Sequence, residues 1–280
     1  MNNSADKIKR NALAILTHVF LMSLVLIIIL PVLWLIINSL KTNQEMFVDS
    51  MSLPAVPQFV NYVTAWGKGL YKYFGNSIIT SAISIFFILL LSSMLAYGLT
   101  RFDLKGKDVI FIIVLGGMAL SEQVALVPLF KIIRALHLYD TRAAIILPYI
   151  AFRIPFTMFL LRSYFISIPK EIEEAAIIDG ASTPQIFFRI ILPISKPVLA
   201  SAAIVNLNFV WNEFLFANVF LESKELMTIP LGLMAFQGDL KSDYVTMLAG
   251  ILIASLPMII LYICMQKQFV RGLSAGAVKG

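Results

Sequence analysis

The sequence predicts an all-α integral membrane protein with six transmembrane helices, and three observations carry that prediction. Of the 280 residues, 59% are hydrophobic and only 14% are charged, against roughly 25% charged residues in soluble domains. The mean hydropathy is +0.88. Long apolar runs recur at about residues 12–37, 77–97, 109–130, 143–161, 197–221 and 246–265, each near the ~20 residues a helix needs to cross the hydrocarbon layer. Lipid offers no hydrogen-bond partners, so each span must satisfy its own backbone. A β-barrel would instead show alternating segments of about ten residues. Disorder, collagen, coiled coil and an ordinary soluble enzyme are excluded by the same composition.

The first run follows Lys7, Lys9 and Arg10 as a secretory signal would. It is longer than the roughly 7–15 residues of a signal core, and no A-x-A site follows it, so it reads as a retained helix that also targets the chain. The segment 38–76 carries Pro54, Pro57, Tyr62, Trp66, Tyr71 and Tyr73, an aromatic content suited to the headgroup level, with protein docking as the sharper alternative. In the third run Ser121 precedes Glu122 and Gln123. The single cysteine, Cys264, sits in the last run and can form no internal disulfide. His18 and His137 stand apart without other ligands, and no metal site is expected. With no visible repeat, the chain 1–280 reads as one membrane domain.

Orientation follows from the positive-inside rule. If both termini are cytoplasmic, the inside segments 1–11, 98–108, 162–196 and 266–280 hold thirteen of the 22 Lys and Arg residues. The outside segments 38–76, 131–142 and 222–245, of nearly equal total length, hold eight. The last cation, Arg153, lies inside a span. Both termini are therefore placed in the cytoplasm. The net charge of +6 answers to topology and anionic headgroups; spread over short loops, it forms no patch for a nucleic acid.

Residues 167–197 read SIPKEIEEAAIIDGASTPQIFFRIILPISKP. Ser167 is expected to cap a helix, with Pro169 in its first turn and Glu171, Glu173 and Glu174 at its positive end. Ile172, Ala175, Ala176 and Ile178 supply an apolar face, and Glu173 and Glu174 offer contacts to a partner's Lys or Arg. Gly180 falls where a left-handed C-terminal cap requires glycine. Thr183 and Pro184 restart a helix, which ends at Pro193 and Pro197. An interfacial helix lying in headgroups is the simpler reading, but anionic lipid would repel its acidic cluster.

Here the sequence resembles a known family. Glu174-Ala175-Ala176, three residues to Gly180, nine more to Ile190 and then Leu192-Pro193 resemble the EAA loop of ABC-importer permeases, and Asp179 and Ala181 fit its common form. Arg153-Ile154-Pro155-Phe156, Trp211-Asn212-Glu213-Phe214, Thr228-Ile229-Pro230-Leu231-Gly232 and the terminal Phe269-Val270-Arg271-Gly272-Leu273 with Gly276-Ala277-Val278-Lys279-Gly280 look like segments of the second permease of maltose-type or multiple-sugar importers. Many relatives would carry proline where Ser121 stands. The resemblance implies a type I ABC-importer permease fold, in a bacterial-type cytoplasmic membrane, with a second homologous permease as heterodimer partner. It also implies two ATPase subunits that carry ATP and Mg, and an extracytoplasmic sugar-binding protein. It implies that Glu173, Glu174, Ala175, Ala176, Asp179, Gly180, Ala181, Ile190 and Pro193 couple to the ATPase, and that Gly272 and Gly276 of the tail 266–280 reach it too. No cofactor is expected on this chain. A phosphate loop is absent: neither Gly67-Lys68 nor Gly106-Lys107 has a glycine five residues earlier. ATP hydrolysis is therefore expected on a partner, and the chain itself is expected to be non-catalytic.

Ionisable groups inside a membrane cost about 2.5–3.5 kcal/mol on insertion scales. Glu122, Arg153 and Glu213 are thus candidate pathway groups, with Asn206, Asn208 and Asn212 on the fifth run. Asn208 and Asn212 are four apart, on one helix face, and Glu213 is nearly aligned with Asn206. They would hydrogen-bond sugar hydroxyls while Phe209 or Trp211 stacks on a ring; the alternative is that the asparagines glue helices together. Three functions compete: a carbohydrate importer subunit, with a non-sugar solute as its variant; an autonomous carrier using the ionisable groups as a relay; and a scaffold that recruits an ATPase. The EAA loop and the lack of an inverted repeat favour the importer.

Overall fold

The computed structural model describes residues 3–239 and 243–277 and, among them, only helices and their connections. The helices are α1 (Asn3–Ser39), α2 (Asn43–Val48), α3 (Val60–Ala65), α4 (Tyr71–Arg101), α5 (Lys107–Gly116), α6 (Glu122–Ala135), α7 (Arg142–Ser167), α8 (Glu171–Ile178), α9 (Thr183–Ile186), α10 (Leu192–Ile194), α11 (Lys196–Asn212), α12 (Leu215–Phe220), α13 (Ile229–Asp239) and α14 (Tyr244–Ala277). Four stretches are long and apolar enough to cross a membrane unbroken: Leu13–Ser39, Val60–Arg101, Arg142–Ser167 and Tyr244–Met265. Two bent pairs, Lys107–Ala119 with Glu122–Ala135 and Thr183–Ile194 with Lys196–Asn212, raise the count to six if each pair is one span.

Two compact units emerge. The first comprises the chain up to Lys68 and Phe236–Ile253. Most apolar side chains of α1 are exposed, and its hydroxyls turn inward: Thr17 donates to the Leu13 carbonyl (2.9 Å) and Ser23 to that of Phe20 (2.7 Å). After α1 the chain folds around a small polar knot. The fully buried Lys41 ammonium donates to the Asp49 carbonyl (2.8 Å), and the Asn61 amide donates to the carbonyls of Ser39 and Lys41. A capping box between Thr42 and Glu45 starts α2.

The second unit runs from Gly69 to Ala235 and resumes at Ala254. Its centre is α4 packed on α7, with α11 against both. The buried face of α4 is lined by Ser77, Thr80, Ser81, Ser84, Ser92, Ser93 and Ala96. Small side chains let helices approach closely where lipid provides no hydrophobic drive. One apolar core gathers Ile88, Ile145, Tyr149, Val210, Phe216 and Phe220; a second gathers Ala96, Tyr97, Met158, Leu161, Phe165, Phe187 and Ile191. The connection into α13 is tied to the start of α4. Asn76 donates to the carbonyls of Glu225 and Met227, and Ser77 accepts from the Ile229 amide.

Two expected spans are broken. The third bends by 102° between Ala119 and Glu122. Leu120 and Ser121 are extended there, and Ser121 stands at the N-cap of α6. Two consecutive glycines, Gly116 and Gly117, weaken the helix before the break, and a Cβ on Gly117 would lie 3.2 Å from the Pro155 ring. The fifth run, expected over 197–221, is helical only to Asn212. Glu213 is extended, and the short α12 follows. At 1.5 Å per residue the 17 residues of α11 span about 26 Å, short of the ~30 Å hydrocarbon core.

Candidate functional site

The segment between α7 and α11 forms a helical hairpin, and its details correct the expected start signals. Ser167 is the last residue of α7, not a cap, and α8 begins only at Glu171. Glu171, Glu173 and Glu174 fill its first turn. At its end the Ala181 amide donates to the Ala176 carbonyl (2.9 Å) and the Gly180 amide to that of Ile177 (3.0 Å), with Gly180 at φ 79°. That is a Schellman motif, whose left-handed residue is the expected glycine. Ser182, rather than Thr183, caps the next helix: its amide donates to Gln185 Oε1 (2.8 Å) in a capping box, with Pro184 in the first turn. A π-type turn over Phe187–Ile191 leads through α10 into α11.

Only Glu173 and Ala176 of α8 are buried. Ala176, Ile186, Phe187 and Ile191 seat the hairpin on the ends of α4 and α7. The apolar face of Ile172, Ala175, Ala176 and Ile178 read from the sequence is mostly uncovered: only Ala176 of it is buried and Ile178 is 86% exposed, with Ile177 (62%) and Phe188 (51%) also open. Glu174, Ala175, Asp179, Gly180 and Pro193 are exposed beside them, while Ala181 and Ile190 are half-buried.

Glu173 points into the chain, contrary to the expectation that it meets a partner. Its carboxylate forms an ion pair with Arg101 Nε (2.5 Å) and accepts from the Tyr97 hydroxyl (2.8 Å). Arg101 also donates to the Ile168 carbonyl (2.9 Å). A buried carboxylate needs such partners, because an unpaired charge there is costly. The side chains at the end of α4 thus grip the hairpin and the exit of α7 together.

The second polar site lies at the broken spans. Arg153 of α7 forms an ion pair with Glu122 at the start of α6 and lies 3.8 Å over the Phe209 ring. Beside it, the Tyr149 hydroxyl donates to Glu213 Oε2 (2.5 Å), while Glu213 accepts from the Phe216 (2.6 Å) and Ala217 (3.3 Å) amides. Glu213 so caps α12 from outside the helix and is not aligned with Asn206 as a continuous helix would place it. A cavity of about 410 Å³ opens against Leu120, Glu122, Phe152, Arg153, Phe156 and Phe209.

The asparagines divide. Asn206 is fully buried and donates to Thr157 Oγ1 (2.9 Å) and the Ala202 carbonyl (2.8 Å), tying α11 to α7. Asn208 and Asn212 are exposed on one face, the amide of the second donating to the first. Trp211 is buried and donates to the Ala254 carbonyl (3.2 Å), so of the two expected stacking rings only Phe209 is available. Gly272 and Gly276 lie outside the residues whose surroundings the structure describes.

Residues 75–274 match the family described as "Binding-protein-dependent transport system inner membrane component". The chain belongs to this family. Among curated relatives, this permease is 47% identical over 262 residues to the probable ABC transporter permease protein YurM of Bacillus subtilis (strain 168), covering 94% of this chain and 87% of the relative. It is 35% identical to the arabinooligosaccharides transport system permease protein AraQ of the same strain, with 93% and 94% covered. Among solved structures, a chain of a bacterial ABC transporter involved in the import of the acidic polysaccharide alginate matches with a TM-score of 0.80, covering 92% of this chain and 97% of that one at 24% identity. The all-α type I importer permease fold expected from the sequence is thereby established, and the autonomous carrier is not favoured.

Three participants in these sites are not evident from the permease sequence alone: Tyr97, Arg101 and Tyr149. The first two sit four apart at the end of a span, one helical turn, which is the only signal that links them. Tyr149 carries no signal beyond its place in an apolar run, because its partner Glu213 is brought to it by the break after Asn212.

Proposed function

We propose that this permease is one subunit of a heterodimeric carbohydrate importer, moved by two ATPase subunits that bind ATP and Mg. The observation that carries this reading is the hairpin over 171–195: an exposed tip built on Gly180, with Ile177, Ile178 and Phe188 uncovered and its base held by Arg101 and Glu173. Exposed apolar groups beside Glu171, Glu174 and Asp179 suit a protein partner with an apolar cleft rimmed by cations. Glu174, Ala175, Ala176, Asp179, Gly180, Ala181, Ile190 and Pro193 form or support this coupling element. Gly272 and Gly276 extend the contact from the tail. Glu173 belongs to the joint that ties the element to α4. The hairpin and both termini then face the cytoplasm, and an extracytoplasmic binding protein delivers the solute. A sugar is favoured by the relative that serves arabinooligosaccharides, and by half-exposed polar and aromatic groups at membrane depth (Glu122, Arg153 and Phe209, with Asn208 and Asn212 beyond them).

The test is co-purification after cross-linking in the membrane, comparing the native chain with Glu174→Lys. Recovery of an ATPase, a second permease and a sugar-binding protein with the native chain, and loss of the ATPase with the variant, is the expected result. Recovery of the native chain alone overturns the proposal.

A further inference from the structure

The geometry points to a carbohydrate subsite on this subunit, the cavity beside the break in the third span, built for an uncharged sugar and against an acidic one. The inference rests on the carbohydrate reading above and narrows it.

Three features define the ligand's chemistry. First, the cavity's volume of about 410 Å³ falls within the roughly 300–1,000 Å³ typical of small-molecule sites. Its walls combine the rings of Phe152, Phe156 and Phe209 with Gly117, Met118 and Leu120, and a single ion pair, Arg153 with Glu122, joins them. Flat rings accept the C–H faces of a sugar. A guanidinium donates to hydroxyl oxygens and a carboxylate accepts from hydroxyl protons, so a polyol satisfies both members of the pair at once. Second, both charges keep part of their side chains exposed, 20% for Arg153 and 28% for Glu122. An ion pair left facing hydrocarbon would be costly, and the side chains turn toward the cavity. Third, each local attraction for an anion is already answered by the chain. The guanidinium is held by Glu122. That same carboxylate sits in the first turn of α6, where a helix favours negative charge. An incoming carboxylate or sulfonate would have to displace Glu122 from Arg153 and lie beside it, a like-charge contact.

The location agrees with this assignment. Discontinuous helices near the middle of a membrane are where transporters place solutes, and the cavity touches the third span at its 102° break and α11 at Phe209, shortly before its end.

The experiment uses the complete importer in lipid nanodiscs without its binding protein, so that only the membrane subunits select. Arabinotriose serves as the neutral probe and trimannuronate as the acidic one, followed by saturation-transfer NMR. The native complex is expected to give signal with arabinotriose and none with trimannuronate at equal concentration. Phe209→Ala should reduce the arabinotriose signal at least tenfold, while Phe209→Tyr, which keeps the ring, restores it. Glu122→Gln leaves Arg153 unanswered and should admit trimannuronate. Equal signals from both probes, or an arabinotriose signal unchanged in Phe209→Ala, overturn the subsite. Radiolabelled uptake by cells that express the complete system separates this from the broader reading. Uptake of only acidic oligosaccharides sinks the neutral subsite and leaves the carbohydrate importer standing; uptake of no oligosaccharide of either kind sinks both.

Discussion

Arg101 and Glu173 meet 2.5 Å apart at the junction of α4 with the hairpin, both almost wholly buried. The pair converts two separate elements into one mechanical part. A force on the hairpin reaches α4 through the pair and through Ala176, Phe187 and Ile191 in the core beneath it. It reaches α7 through the bond from Arg101 to the Ile168 carbonyl.

Removing one member of this pair should therefore cost more than removing both. Arg101→Ala leaves a buried carboxylate with only Tyr97, and breaking a buried pair typically costs about 3–5 kcal/mol. The double variant Arg101→Met with Glu173→Leu should recover most of that loss. Thermal unfolding in detergent measures both; a double variant as unstable as Arg101→Ala would show that the charge is not the cause.

Gly180→Arg should uncouple transport from ATP hydrolysis while the protein accumulates normally. The left-handed φ of 79° costs a side-chain-bearing residue about 1–2 kcal/mol, and no atom lies within 4 Å of a Cβ there. The chain therefore folds, and the damage falls on the exposed turn. Uptake and ATPase activity measured side by side in reconstituted vesicles decide this; normal values for both refute it.

Gly232→Ala should destabilise the permease for the opposite reason. A Cβ at Gly232 would come within 2.2 Å of the Tyr73 ring, an overlap of the kind that typically costs about 1–3 kcal/mol. Gly98→Ala, where no atom lies within 4 Å, should be neutral or gain up to about 1 kcal/mol from helix propensity. Equal melting temperatures for the two variants would contradict the packing account.

Asp140 makes the stability of its connection depend on acid. It joins the loop before α7 to the loop after α12, accepting from the Ser223 hydroxyl and from the Ser223 (3.0 Å) and Glu222 (2.8 Å) amides. These bonds hold its carboxyl below the usual range. The folded value is lower than the unfolded one, so the clamp is at full strength above the ordinary carboxylate pKa of about 3.9 and weakens as pH falls through the lowered value. The difference in melting temperature between the native chain and Asp140→Asn should hold from pH 7 to about 5 and shrink below about 4. A difference that grows on acidification would refute the assignment.

Much of this architecture is legible in the sequence because each signal is local. Run length yields the continuous spans, and the interval from Glu174 to Gly180 yields the hairpin with its left-handed turn. The breaks are harder to read. Hydropathy is indifferent to whether Leu120 is helical or extended, and the break follows Gly117, whose close neighbour Pro155 belongs to another helix. The same holds for Glu173. Three glutamates in one turn look equivalent in sequence, and only the position of Arg101 across the junction assigns one to the interior and leaves Glu174 outside. Asn206 and Asn208, two residues apart, also part only in the fold, one buried against Thr157 and one exposed at a cavity beside α14.

Thr17 and Ser23 satisfy their hydroxyls on carbonyls of their own helix, so the first half of the first span asks nothing of its neighbours before it can rest in lipid, and only its end does, where Asn38 donates to the Ser50 carbonyl and Ser39 bonds the Tyr62 hydroxyl. Selection on its surface then comes from whatever it eventually touches and not from the needs of folding, so its apolar positions are free to drift among Leu, Ile, Val and Met wherever that contact is lipid.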